Sequence, residues 1–221
     1  MHSPAPVTSP RPPALLAGTL LTSLFAVLLA LVAAQWSPLL TLDGQIANGL
    51  HRLAVDDPGA TRAQRILSDW IWDPWAMRLL VAVAFVWLWL REKRLLAVWI
   101  AVTSAVGALV QQVLKWAVGR ERPVWPDPVD TAHYAAFPSG HAMTATVTFG
   151  LLLWLLHLHG ARRAARTTLL VVGVVSVLGV GFTRLYLGVH WFTDVLGGWL
   201  LGAALVLLSA TFYAYRTAPR E

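Results

Sequence analysis

The sequence contains no cysteine. Disulfides, thiolate metal sites and a cysteine nucleophile are thereby excluded, while the redox compartment is left open. Charge is scarce as well: Asp, Glu, Lys and Arg make up 13% of the 221 residues, where a soluble domain carries about 25%. Acids are the scarcer sign, 11 against 17 Lys and Arg, for a formal net charge of +6. These shortages exclude a disordered chain and an ordinary cytosolic domain. What is present is apolar: 57% hydrophobic residues, with 12 Trp. That is the composition of an integral membrane protein, of a length that suits one domain. In a soluble chain the basic balance would suggest nucleic acid. In a membrane chain it marks cytoplasmic loops, and no nucleic-acid partner is implied.

A spanning helix takes about 20 mostly apolar residues. Six such runs are predicted, at residues 13–35, 75–90, 95–114, 139–158, 167–182 and 190–215. The first is longer than the core of a signal peptide and lacks a clean small-x-small site, so it reads as a retained anchor. Residues 1–12 form a polar, Pro-rich arm expected to be flexible, and residues 13–221 a single membrane-embedded domain. Residues 37–74 are polar enough to lie outside the bilayer. Within them, Ile66, Leu67, Trp70 and Ile71 recur at helical spacing over residues 60–72, which predicts an amphipathic interfacial helix. Trp70, Trp72 and Trp75 are expected at headgroup depth. The fold class is therefore all-α, a six-helix transmembrane bundle.

Lys and Arg set the orientation. Arg11, Arg91, Lys93, Arg94, Arg162, Arg163, Arg166, Arg216 and Arg220 fall on one face, and most acids on the other. The basic face is expected to be cytoplasmic, with both termini inside. Lys115, Arg120, Arg122 and Arg184 break this rule, since all lie beside span ends on the acidic face. A charge at the centre of a bilayer costs roughly 2.5–3.5 kcal/mol on insertion scales. Each of them has a bland explanation in snorkelling or an ion pair to Glu121, Asp127 or Asp130, but together they suggest a bound anion.

Two further blocks share that face. Phe137-Pro138-Ser139-Gly140-His141 precedes a long apolar run and reads as a helix start, whose free N–H groups suit phosphate oxygens. The bland alternative is a plain helix cap with an interfacial His. His190 and Asp194 are four apart. Either they share a helical face, or Asp194 holds the ring from a tight turn. A carboxylate on one ring nitrogen leaves the other free as a nucleophile, although such a pair also serves merely to join two helices.

The three blocks converge on one membrane face, and their residue types fit phosphoryl transfer without a metal. Lys115, Arg122 and Arg184 neutralise the phosphate, and Ser139 and the Gly140 N–H complete the cradle. His190 attacks phosphorus with Asp194 orienting it, and His141 acts as general acid and then base.

In these motifs the sequence resembles the type-2 phosphatidic acid phosphatase family, which shares a superfamily with the soluble vanadium haloperoxidases. The family pattern Lys-x6-Arg-Pro reads here Lys115 to Arg122-Pro123. Pro-Ser-Gly-His reads Pro138 to His141, and Ser-Arg-x5-His-x3-Asp reads Thr183-Arg184 to His190 to Asp194. Thr183 departs from the usual Ser but keeps a hydroxyl. The motifs span residues 115–194. The resemblance implies six helices, a phosphohistidine intermediate, no cofactor and no metal, with the eight residues in the roles just given. The membrane spans argue against the haloperoxidase branch.

A site at the membrane surface suits a lipid with an exposed phosphate. The expected substrate is undecaprenyl diphosphate, hydrolysed at the extracytoplasmic face of a bacterial inner membrane. Phosphatidylglycerol phosphate and phosphatidic acid are the alternatives. A lipid-phosphate binding or transport protein would need the cationic cradle but not both histidines, and a structural membrane subunit would need neither. The remaining polar residues have plainer expectations. Arg120 and Glu121 pair with each other or touch a head group, and Asp43 serves a helix cap or loop. His133 and Tyr134 are expected as loop filler, with lining of the entrance as the alternative, His157 and His159 are interfacial, and Gly198 and Gly202 permit close helix packing.

Overall fold

The computed structural model describes residues 13–218, so the N-terminal arm and residues 219–221 lie outside it. Eight α-helices follow one another: α1 (Pro13–Ala33), α2 (Ser37–Asp56), α3 (Pro58–Ile66), α4 (Pro74–Leu90), α5 (Arg94–Val118), α6 (Gly140–Leu158), α7 (Arg163–Tyr186) and α8 (Phe192–Thr217). A π turn, Leu67–Ile71, extends α3 towards α4. No strand occurs among the described residues. Six helical stretches are long and apolar enough to cross a membrane, with α3, the π turn and α4 together making one of them. Their outward faces carry large apolar side chains such as Leu20, Leu79, Leu109 and Val175. Such a belt suits lipid rather than water.

α8 is the central helix, packed against both α1 and α6. Gly198 and Gly202 allow the α6 contact: a Cβ on Gly198 would lie 2.7 Å from the Ser139 carbonyl oxygen, and one on Gly202 would lie 3.0 Å from Thr146 Cβ. The approach locks the start of α8 against the start of α6, reinforced by the Ser139 N–H donating to the Asp194 carbonyl at 2.9 Å. At the other end of the bundle, Leu88, Ile100, Leu151 and Val206 close a dry core between α4, α5, α6 and α8. Trp99 Nε1 donates to Ser209 Oγ at 2.9 Å and ties α5 to α8.

Several boundaries differ from the sequence expectation. α5 runs past Lys115 to Val118 and stops at Gly119 in the left-handed conformation (φ 60°). A charge ends an apolar run without ending a helix; the glycine does that. α7 likewise continues through Thr183 and Arg184 to Tyr186, so the link to α8 comprises residues 187–191. α2 has no counterpart in the predicted elements. Its buried positions, Asp43, Ala47, His51 and Ala54, keep helical spacing but are small or polar, so no hydrophobic period betrays them. The predicted interfacial helix is α3 with its π turn, and Ile66, Trp70 and Ile71 face outward. Trp72 does not join Trp70 and Trp75 at the periphery. Its ring fills the space a Cβ on Gly179 of α7 would occupy.

Candidate active site

The sequence-predicted residues reach the site from three helix ends and two connecting segments. Lys115 closes α5, Arg184 closes α7, Gly140 and His141 open α6, Arg122 sits in the loop after α5, and His190 in the link before α8. All six line one cavity of about 890 Å³. Asp194 and Ser139 stand behind its wall, fully buried.

His190 is 2% exposed and is held from both sides. Its Nδ1 faces Asp194 Oδ2 at 3.2 Å, and Arg122 NH1 approaches its Nε2 at 3.2 Å. A guanidinium can only donate, so Nε2 is the acceptor and the ring proton sits on Nδ1, bound for the carboxylate. Of the two geometries left open by the sequence, the tight turn is observed: His190 precedes α8, and Asp194 Oδ2 also accepts the Trp191 backbone N–H at 2.8 Å. Gly188 makes the turn possible, with φ 67° and no room for a Cβ, which would lie 2.5 Å from Trp125 Nε1. Burial above all, then the charges of Arg122, Arg184 and Lys115, holds the His190 imidazole well below the usual histidine range. It is therefore neutral at pH 7.

Arg122 is pinned by carbonyls: Nε donates to Tyr134 O at 2.9 Å, NH2 to His133 O at 3.1 Å, and NH1 to Val189 O. Burial, then neighbouring Arg184, lowers its pKa to about 10, which still leaves it charged at neutral pH. Lys115 Nζ donates to Ala135 O and is 3.4 Å from Ala136 O. Arg184 NH1 donates to Ser68 Oγ at 2.8 Å, with Asp69 and Asp130 carboxylates at 3.9 and 4.0 Å. Among the described residues, Arg184 Nε and Ser139 Oγ are buried without a hydrogen-bond partner. Gly140 lets α6 approach α5, since a Cβ there would lie 2.8 Å from Gln111 Nε2. Thr183 turns its hydroxyl to the Val180 carbonyl at 2.8 Å, away from the cavity. Among the described residues, no group of three His, Asp or Glu is arranged to hold a metal ion.

Four residues that support the site had plainer expectations. Arg120 neither pairs with Glu121 nor reaches outward. Its NH1 donates to Asp194 Oδ1 at 2.6 Å and to Thr193 Oγ1 at 2.7 Å, and its NH2 to Asp43 Oδ2 at 2.7 Å. Asp43 is a cap in trans: from mid-α2 it accepts the Thr193 backbone N–H at 3.0 Å and the Thr193 hydroxyl at 2.5 Å, at the start of α8. Nothing in the sequence couples residues 43, 120 and 194; the only hint was that Arg120 sits on the face of the acids. Of the two expectations for His133 and Tyr134, lining is the one observed: both line the cavity, and they also supply the carbonyls that hold Arg122.

Comparison with known proteins agrees with this architecture. Residues 95–218 match the model of the PAP2 superfamily. Over 106 residues the chain is 39% identical to phosphatidylglycerophosphatase B of Bacillus subtilis, covering 47% of this chain and 51% of that one. Over 150 residues it is 25% identical to an undecaprenyl-diphosphatase of Sulfolobus acidocaldarius, covering 64% and 63%. The chain thus spans half to two thirds of the length of these relatives. A crystal structure of a transmembrane PAP2-type phosphatidylglycerolphosphate phosphatase from Bacillus subtilis superposes with a TM-score of 0.80 over 92% of this chain and 98% of that one. At 24% identity the likeness is one of fold. With the family model matching more than half of its length, this multi-pass membrane chain belongs to the PAP2 superfamily.

Proposed function

We propose that the protein hydrolyses a lipid-linked phosphate at the extracytoplasmic membrane face through a phosphohistidine on His190. The observation that carries this reading is the state of His190: neutral, proton on Nδ1 towards Asp194, and Nε2 directed at a cavity lined by Lys115, Arg122 and Arg184.

The incoming phosphate takes over the donors that Arg122 and Lys115 now spend on backbone carbonyls, and the unpaired Arg184 Nε and Ser139 hydroxyl add two more. Fixed cations then hold the charge that a metal ion holds elsewhere. Nε2 forms a bond to phosphorus while the bond to the leaving oxygen breaks, and His141 protonates that oxygen. The imidazolium that develops keeps its Nδ1 proton against Asp194. Water then attacks the phosphohistidine, His141 takes the water proton, and inorganic phosphate leaves as the N–P bond breaks. Undecaprenyl diphosphate is the proposed substrate, with phosphatidylglycerol phosphate and phosphatidic acid as alternatives. The names of the two relatives support the first two.

The test is phosphate release by purified protein in detergent with a chelator present, on the three lipids side by side. Wild type should release phosphate, and His190→Ala should lose roughly 10⁴-fold while retaining lipid binding. Lipid binding without release by the folded wild type would favour a binding or transport protein instead.

A further inference from the structure

α4 is an apolar helix with one internal charge, Arg78, in its second turn. An ionisable residue within a spanning helix normally has a functional partner. Among the described residues Arg78 has none of opposite charge within 4.0 Å; its guanidinium rests on the Trp75 ring, 5.2 Å from the centroid. Trp75 is 75% exposed, and a cation–π contact at so exposed a ring is weak.

Arg78 lines the cavity that holds Lys115, Arg122, His141, Arg184 and His190. It also lines a small void of about 10 Å³ between α4, α5 and α6, beside Ser104, Gly107 and Met143. Only Arg78, Ala108 and Gln111 line both spaces. Gln111 is buried, and among the described residues its one side-chain hydrogen bond is a long one, from Nε2 to Gln112 Oε1 at 3.5 Å. The cavity's carboxylates are otherwise engaged: Asp69 and Asp130 lie beside Arg184, and Asp73 Oδ1 accepts the Trp75 N–H at 2.7 Å.

We propose that Arg78, with the Gln111 amide beside it, forms a subsite for a second phosphate group, carried on the lipid side of the one that is cleaved. The inference rests on the phosphatase reading for the position of the first phosphate. A tail in the bilayer and a terminal phosphate at His190 put any second phosphate between them, on the side that Arg78 lines from a spanning helix beside the exposed Trp75 ring. A diphosphate ester and a phosphate–glycerol–phosphate head group both carry such a group; phosphatidic acid does not. Arg78 then selects for lipids bearing two phosphates.

The experiment compares wild type, Arg78→Gln and Arg78→Lys on undecaprenyl diphosphate, phosphatidylglycerol phosphate and phosphatidic acid. In parallel it measures binding of farnesyl methylenediphosphonate and farnesyl phosphonate, which cannot turn over. Arg78→Gln should cut the ratio of kcat/KM between a two-phosphate lipid and phosphatidic acid by about ten- to a hundred-fold, the worth of one charge-assisted contact. Arg78→Lys should recover part of it. Loss confined to undecaprenyl diphosphate identifies a diphosphate ligand, and loss confined to phosphatidylglycerol phosphate identifies the glycerol-spaced one. An unchanged ratio, or equal loss on all three lipids, overturns the subsite. If wild type hydrolyses none of them, the phosphatase reading fails, and binding decides: the subsite stands if the diphosphonate binds more tightly than the monophosphonate in an Arg78-dependent way, and falls if both bind alike.

Discussion

At the scale of single residues, the site is two buried layers of charge that compensate one another. Asp194 has no exposure and faces a neutral His190, so its negative charge is balanced from behind by Arg120. Removing one partner of a buried pair costs about 3–5 kcal/mol. Arg120→Ala should lower thermal stability by that order, and Arg120→Lys should restore part of it. Because Arg120 is absent from the cavity wall, its loss should reduce kcat while leaving KM within about two-fold. A KM that rises with kcat unchanged would place Arg120 in substrate binding instead. His190 gives a pH prediction whose sign follows from burial. Its folded pKa lies below the usual value of about 6.5, so Nε2 stays unprotonated as pH falls through 6.5. The acid limb of kcat/KM should therefore lie below pH 6.5. The same shift makes the unfolded chain the better proton acceptor, so this contribution to stability is complete above 6.5 and declines below it. That Lys115, Arg122, His141, Arg184 and His190 would gather at one place was legible, because their types and spacing read as one phosphate-binding pattern, and all five line the cavity. Asp43 and Arg120 were not legible as supports, since a buried ion network is defined by distances between chain segments, and a lone Asp at position 43 reads like any polar residue.

At the scale of helices, close backbone contact does what hydrophobic patterning does in a soluble bundle. Lipid is as apolar as leucine, so small residues that let backbones meet decide which helices touch. Gly198 is the sharpest case, because the obstacle to a Cβ there is backbone: Ser139 O at 2.7 Å and Met143 N at 3.0 Å. Neither atom yields without moving the start of α6 and with it His141. Gly198→Ala should cost about 1–3 kcal/mol of stability and impair turnover. Gly44→Ala and Gly49→Ala on α2, with nothing within 4 Å of the added Cβ, should instead be neutral or gain up to about 1 kcal/mol. Thermal melts of the three variants in one detergent check the contrast. The glycine pair and the number of spans could be read from the sequence, whereas helix ends could not. The apolar runs around Lys115 and Arg184 were cut at the charge, yet both helices pass through it, because the charges turn inward to the cavity. The membrane signal reports where lipid contact ends, and the site lies where helix and lipid contact part company.

At the scale of the whole molecule, the alternation of helix direction divides the loops between two ends. α5 arrives at the cavity with Lys115 and α6 departs from it with His141, so the α4–α5 turn and the α6–α7 turn lie at the opposite end. Those turns carry Arg91, Lys93, Arg94, Arg162 and Arg163, opposed by Glu92 alone. Under the rule that Lys and Arg mark the cytoplasmic side, the cavity is expected to open outward, the orientation on which the proposed function rests. The absence of cysteine makes this directly measurable, since every introduced thiol is the only one in the chain. Asp127 sits in the cavity-side loop with 63% of its side chain exposed, so Asp127→Cys should react with a membrane-impermeant maleimide added to intact cells. Its pairing with His51 at 3.3 Å is lost in that variant, and Pro128→Cys serves as a second reporter on the same loop. Arg163→Cys, at the opposite end, should react only after the membrane is permeabilised. Labelling of Arg163→Cys in intact cells, with Asp127→Cys and Pro128→Cys protected, would reverse the orientation. The cavity would then draw on a cytoplasmic lipid phosphate, a pool that phosphatidylglycerol phosphate or phosphatidic acid would fill better than a carrier released outside.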